Sequence, residues 1–200
     1  MDIKKERALI VVKPDGVQRS LIGEIINRYE RVGLKLTAIK MVLPTPDLVE
    51  KHYLIDPEWP MKTGTRTIES YHKKGKTPPS EDPLQITKIV LDNLKKYLAS
   101  GPVVAMVWQG VNAVGVARKI AGATEPLTSD VGTVRGDLTI DSYELADIDG
   151  RAVRNMLHAS GNPDEAEKEI ALWFRPEEIL EYRLINEAMI YDVNLDGIIE

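Results

Sequence analysis

Residues 7–12 (RALIVV) are apolar almost without a break, and the turn formers Pro14, Asp15 and Gly16 follow at once. A short apolar run stopped by a turn predicts a buried strand with Lys13 at its end. From residue 21 to 32 the pattern changes. Leu21, Ile22, Ile25, Ile26 and Tyr29 recur at helical spacing and Gly33 supplies a stop, so an amphipathic helix is expected. Residues 34–43 alternate as a strand, and a short helix ending near His52 and Tyr53 follows. Residues 56–83 carry Pro57, Pro60, Pro78, Pro79 and Pro83 among many polar residues and read as irregular. A helix is expected over 85–98, a strong strand over 103–108, and a short helix over 112–120 leading to a loop with Gly122, Thr124 and Pro126. Residues 133–140 read as the fourth strand, and 141–150 as an acidic loop.

This order is not the strict strand-helix alternation of a doubly wound sheet. It fits a split β-α-β arrangement, a ferredoxin-like α/β sandwich with a four-stranded antiparallel sheet. The 200 residues suit a single domain spanning 1–200, and no internal repeat or low-complexity tract interrupts it.

Composition narrows the chemistry. No apolar run approaches the ~20 residues of a membrane span, and the start MDIKKERALIVV lacks the form of a secretory signal, so a cytoplasmic protein without a membrane partner is expected. With no cysteine, thiol catalysis and thiolate metal sites are excluded. The net charge of −5 is uneven: residues 1–136 hold 21 Lys/Arg and 15 Asp/Glu, residues 137–200 hold 5 and 16. An acidic last third argues against nucleic acid as a partner, whereas a local arginine cluster remains able to hold phosphates.

Two motifs fail on inspection. Gly75-Lys76-Thr77 has the end of a phosphate-binding loop, but Ser70 stands where its first glycine belongs, and Pro78 and Pro79 oppose the helix that should follow. In the tail YDVNLDGIIE, Asp192, Asn194, Asp196 and Gly197 have the spacing of half a calcium loop, but the chain stops before the closing glutamate.

The segment NMLHASGNPDEAEKEIALWF holds more. Asn162-Pro163-Asp164-Glu165 is a helix start, with a capping Asn, proline at the first position and acids in the first turn. His158, one of three histidines, therefore lies just outside a helix N-terminus, where an anion is favoured. Ser160 and Glu169 are the nearest groups able to orient its ring and leave one nitrogen free to attack. Lys13, Arg118 ahead of Thr124, and Arg135 after Gly132-Thr133 are residue types that neutralise a transferring phosphoryl group.

The stretches ERALIVVKPDGVQRSLIGEIINRYERVGLKL, SGPVVAMVWQGVNAV, GATEP, GTVRGDL and NMLHASGNPDEAEKEIALWF occur in the order of, and closely resemble, the nucleoside diphosphate kinases, over about residues 6–55 and 100–191. The resemblance implies transfer of a γ-phosphoryl group from a nucleoside triphosphate to a nucleoside diphosphate, ping-pong, through phosphohistidine, with Mg²⁺ on the nucleotide phosphates. It implies His158 as the nucleophile with Glu169 and Ser160 as orienting partners, Lys13 at phosphate and sugar, and Tyr53 beside the histidine. Arg118, Thr124 and Arg135 resemble phosphate ligands and Asn155 a ribose ligand. A homo-oligomer, hexamer or tetramer, is also implied. The chain departs from the family at Ala159, where the family has glycine. It departs again at the base-stacking phenylalanine, which falls near Pro60 or Met61, with Trp59 beside them. Two insertions, about 62–91 and 142–151, border the expected cleft, placed to cover it, tune it or build a subunit contact; the first, lysine-rich with Tyr71 and His72, reads as a surface loop in preference to a lid.

Overall fold

The computed structural model describes residues 3–191, 194 and 196; Asp192 and Gly197 of the calcium-loop-like tail lie outside the described residues. Four antiparallel strands form one sheet: β1 (Glu6–Val12), β2 (Lys35–Val42), β3 (Val103–Gly110) and β4 (Leu157–Ala159), in the order β2-β3-β1-β4. This is the ferredoxin-like order expected from the sequence. Around it lie α1 (Pro14–Gln18), α2 (Ile22–Glu30), α3 (Pro46–Tyr53), α4 (Trp59–Lys73), α5 (Pro83–Leu98), α6 (Ala113–Ala121), α7 (Val134–Leu138), α8 (Tyr143–Ile148), α9 (Pro163–Trp173) and α10 (Glu187–Tyr191).

Helices cover both faces of the central strands, which is why β1 and β3 read as unbroken apolar runs. Ala8, Ile10 and Val12 pack with Ile25 and Tyr29 of α2 and with Ala113, Ala117 and Ala121 of α6. Leu9 and Val11 face the other way, onto Ile170, Trp173 and Phe174 at the end of α9. Each large aliphatic side chain buried this way stabilises the fold by roughly 1.5–3 kcal/mol.

Several expectations are corrected. Residues 133–140 are not the fourth strand: Thr133 caps α7, its side chain accepting from Gly136 N, and the edge position belongs to β4. The β-branched run misled because a capping threonine and a strand threonine look alike in sequence. Residues 56–83 are not irregular throughout, since Pro60 lies in the first turn of α4, where proline starts a helix rather than breaking it. The first insertion is therefore a helical hairpin, α4 against α5, and not a surface loop. Gly64 makes the hairpin close, because a Cβ there would collide with the Pro83 carbonyl. Within 141–150, Ser142 caps α8 through Leu145 N. Pro14-Asp15-Gly16 is the first turn of α1 rather than a simple turn, with Lys13 as its N-cap residue.

Candidate active site

β4 is only three residues long, and its alternation decides where the histidine points. Leu157 and Ala159 face the α2/α6 side, so His158, opposite Val11 in the ladder, faces α3 and α9. The chain then turns into α9, whose start is as expected: the Asn162 side chain accepts from Glu165 N at 2.9 Å and Pro163 follows. The buried stripe of α9 is Ala166, Glu169, Ile170 and Trp173, which puts a carboxylate in a core row beneath the histidine.

Glu169 Oε1 lies 2.7 Å from His158 Nε2, although off the line of its N–H, so the pair touch without an aligned hydrogen bond. Glu169 Oε2 accepts from Ser160 Oγ at 2.6 Å, and Ser160 Oγ in turn accepts from Leu9 N at 3.0 Å. The carboxylate is thus anchored to β1 through the serine. Burial pushes Glu169 up, opposed by His52 and Ser160. Burial, then the charges of Lys13, Arg135 and Arg118, pulls His158 down to about 3. The imidazole is neutral at physiological pH, and its side chain makes no hydrogen bond among the described residues.

Lys13 leaves the end of β1 only 4% exposed, and its Nζ donates to Asn155 Oδ1 at 2.7 Å. Asn155 Nδ2 donates to the Thr124 carbonyl at 2.9 Å, which ties three of the expected residues into one chain. Met156, at φ 69°, has a left-handed backbone unusual for a residue with a side chain. The conformation is held from both sides: Met156 N donates to Asp15 Oδ2 and its carbonyl accepts from Lys13 N at 2.8 Å. Asp15 also accepts from Tyr97 at 2.6 Å, and Lys13 Nζ stands 5.3 Å from the Tyr97 ring centre. Burial first, then Arg135, pulls Lys13 down to about 7, with Asp15 opposing.

The two arginines are not alike. Arg135, 8% exposed and on α7 rather than a strand, donates to the carbonyls of Gly122, Ala123, Asn155 and Leu157. With five N–H donors in a guanidinium, four such bonds leave one free. Arg118 on α6 is exposed and has no hydrogen-bond or ion-pair partner among the described residues. Both cations act on His158. Thr124 lies exposed on the loop between them, Tyr53 is half-buried within electrostatic reach of Glu169, and its ring sits 5.4 Å from that of Trp59. Met61, 51% exposed, is not drawn into this cluster.

The sequence reading missed His52 as a member. Its ring stands edge-on to His158 with centres 4.3 Å apart, and its Nδ1 accepts from Trp173 Nε1 at 3.2 Å. Burial, then His158, pulls it down to about 3. Its place beside Val49 in the buried row of α3 was the available signal, as was Glu169 in an apolar stripe. His52, His158 and Glu169 each offer one ligand atom, all within 4.8 Å of one another, so a cation fits by distance. The charges disfavour it: Lys13, Arg135 and Arg118 all act electrostatically on the histidine and make its surroundings receptive to an anion.

A neutral imidazole backed by a buried carboxylate, within the electrostatic reach of Lys13, Arg135 and Arg118, suits attack on a phosphoryl group. Comparison with known proteins agrees. The nucleoside diphosphate kinase family model matches residues 6–62 and 84–179. A nucleoside diphosphate kinase of Pyrobaculum aerophilum is 44% identical over 180 residues, 88% of this chain and 98% of that protein. A crystal structure of an NDP kinase from the same organism superposes with a TM-score of 0.85 at 44% identity, covering 88% of this chain and 100% of the other. A transition-state mimic of the Borrelia burgdorferi nucleoside-diphosphate kinase, with bound vanadate and ADP, gives a TM-score of 0.77 at 34% identity, over 94% of this chain and 98% of that one. Among the described residues no helix is long and apolar enough to cross a membrane. With sequence, fold and site in agreement, this chain belongs to the nucleoside diphosphate kinase family.

Proposed function

We propose that the protein transfers the γ-phosphoryl group of a nucleoside triphosphate to a nucleoside diphosphate through phosphorylated His158. The observation that carries this reading is the contact of His158 Nε2 with Glu169, which leaves Nδ1 as the nitrogen available to a phosphate held by cations. In the first half-reaction an Nδ1–phosphorus bond forms as the bond from the γ-phosphorus to the β,γ-bridging oxygen breaks. The nucleoside diphosphate leaves with that oxygen. In the second, a terminal oxygen of another nucleoside diphosphate attacks the phosphorus and the N–P bond breaks, returning the neutral imidazole. Glu169 stabilises the positive ring while Ser160 keeps the carboxylate in place. Lys13, Arg118, Thr124 and Arg135 hold the phosphates, Lys13 and Asn155 the ribose, and Tyr53 flanks the ring.

The nucleotide would be bound as its Mg²⁺ complex, and the ion would supply charge neutralisation on the phosphates. This fits the site, because Asp15 already accepts from Tyr97 and Met156 N, and Glu169 accepts from Ser160 and lies against His158. Base binding falls to Met61 and Trp59 at the start of α4. As a single domain with insertions at about 62–91 and 142–151, the protein works in the cytoplasm as a hexamer or tetramer. The exposed Ile39 and Met41 on edge strand β2 offer apolar surface for association.

Initial rates with both nucleotides varied test the reading: ping-pong transfer gives parallel double-reciprocal lines, whereas intersecting lines mean direct transfer in a ternary complex. Lys13 adds a pH prediction. Its depressed pKa leaves it partly neutral in the free protein above about pH 7, and a bound polyanion favours the ammonium. Nucleotide binding should therefore take up a proton at about pH 8 and almost none from this group at about pH 6, where it is already charged. Calorimetry in buffers of different ionisation enthalpy reads this, and equal uptake at both values would contradict it.

A further inference from the structure

Asp15 stands in the first turn of α1, a place where a carboxylate ordinarily serves the free N–H groups of its own helix. Here both of its oxygens reach out of the helix. Oδ1 accepts from the Tyr97 hydroxyl of α5 at 2.6 Å, and Oδ2 accepts from Met156 N at 3.2 Å. Burial, then the Asp15 charge, pushes Tyr97 well above the usual phenol range, so its hydroxyl stays a donor. Met156 is the middle residue of a reversal tighter than a β-turn. Leu157 N donates to the Asn155 carbonyl at 2.8 Å across it, and with Met156 at φ 69° this is a γ-turn of the rare, strained kind.

This turn joins the two halves of the site. Asn155, which accepts from Lys13 Nζ, opens it, and His158 follows it directly on β4. Lys13 is tied to it a second time, because Lys13 N donates to the Met156 carbonyl at 2.8 Å. Arg135 holds both ends, donating from Nε to the Asn155 carbonyl at 3.1 Å and from Nη2 to the Leu157 carbonyl at 2.7 Å. The middle depends on Asp15, since the buried Met156 N–H has no other acceptor among the described residues. We propose that Asp15, anchored by Tyr97, is a positioning residue for phosphoryl transfer: it holds Met156 in the γ-turn and so sets Lys13 and Asn155 relative to the His158 ring. This rests on the phosphotransfer reading of the site above. A strained turn persists only where its surroundings over-determine it. Without the Asp15 bond Met156 relaxes toward negative φ, which turns Asn155 against β4 and takes Lys13 with it. Tyr97 meets the lysine as well, its ring centre 5.3 Å from Lys13 Nζ, so one residue of α5 supports both the carboxylate and the cation.

The test compares wild type with Asp15→Ala, Asp15→Asn and Tyr97→Phe, each first shown to be folded by circular dichroism. It reads the single-turnover rate of phosphohistidine formation at saturating Mg·ATP beside the Mg·ADP affinity. Misplacing reacting groups by about 1 Å costs roughly a hundredfold in rate, so Asp15→Ala should slow formation about a hundredfold, while Mg·ADP binding, shared among several ligands, weakens about tenfold. Asparagine preserves the geometry: its oxygen accepts from Met156 N, and its amide donates to the Tyr97 oxygen once the hydroxyl turns. Asp15→Asn should therefore recover to within about tenfold of the wild-type rate, and Tyr97→Phe, which leaves one carboxylate oxygen unpaired and keeps the ring beside Lys13, should lose about tenfold. A merely structural pair would lower the melting temperature of the variants and leave the rate of the folded protein at saturation unchanged. Rates within about twofold of wild type in Asp15→Ala and Tyr97→Phe would overturn the proposal, and if Asp15→Ala does not fold, Tyr97→Phe decides by the same threshold. If the wild type forms no phosphohistidine, the phosphotransfer reading fails. The Mg·ADP affinities then still decide whether Asp15 sets Lys13 and Asn155: weaker binding in Asp15→Ala supports that role, and unchanged binding overturns it.

Discussion

Replacing His158 with alanine is expected to lower phosphoryl transfer by about five orders of magnitude, while Mg·ADP binding changes no more than about threefold. The separation follows from the geometry. In the proposed mechanism His158 supplies the attacking ring nitrogen, whereas the cations proposed to hold the phosphates stand on other elements: Lys13 after β1, Arg118 on α6 and Arg135 on α7. The bonds that hold Lys13 and Arg135 run to Asn155 and to backbone carbonyls, not to the ring, so its removal leaves them in place. The fold should lose only about 1–2 kcal/mol, since β4 pairs with β1 through backbone bonds that do not depend on the side chain. Steady-state rates and calorimetry on the same preparation check both halves. A variant with substantial activity would mean another nucleophile, or direct transfer between nucleotides.

Arg135→Met should cost about 3–4 kcal/mol of stability, a fall of roughly 6–16 °C in melting temperature for a chain this size. The guanidinium joins four carbonyls from two separate segments, Gly122 and Ala123 after α6 and Asn155 and Leu157 around β4. Methionine has similar length and no donor, so buried carbonyls lose their partner, and an unmade buried hydrogen bond costs about 1–3 kcal/mol. Arg118→Met provides the contrast: with no partner among the described residues and an exposed side chain, it should change stability by less than about 0.5 kcal/mol. Both variants should bind Mg·ADP more weakly. Denaturant unfolding of the pair separates the roles, and equal stability of the two would contradict the assignment of Arg135 as a tie between α7 and β4.

How much of this was legible beforehand depended on how each segment declares itself. The strand at 7–12, the helix beginning at Ile22 and the start of α9 were readable because periodicity and capping act locally. β4 was not, because three residues cannot display a period and the strand exists only through its pairing with Val11 and its neighbours. α4 was obscured by proline at its first turn and by Thr63, Gly64, Thr65 and Thr67, weak helix formers whose helix is held by packing on α5. Within the site, Lys13, Asn155 and Glu169 were marked by resemblance, whereas His52 was not, because its role comes from Trp173, distant in sequence. That Arg135 is largely occupied by backbone carbonyls could be learned only from the fold.

The most direct measurement is to incubate the protein with γ-labelled Mg·ATP without acceptor, and then treat the labelled chain separately with acid and base. The proposed mechanism requires a phosphate on His158 that is acid-labile, base-stable, absent from His158→Ala and passed to added nucleoside diphosphate. Nucleotide binding without any label on the chain, or a label that survives acid and remains when His158 is replaced, would contradict it.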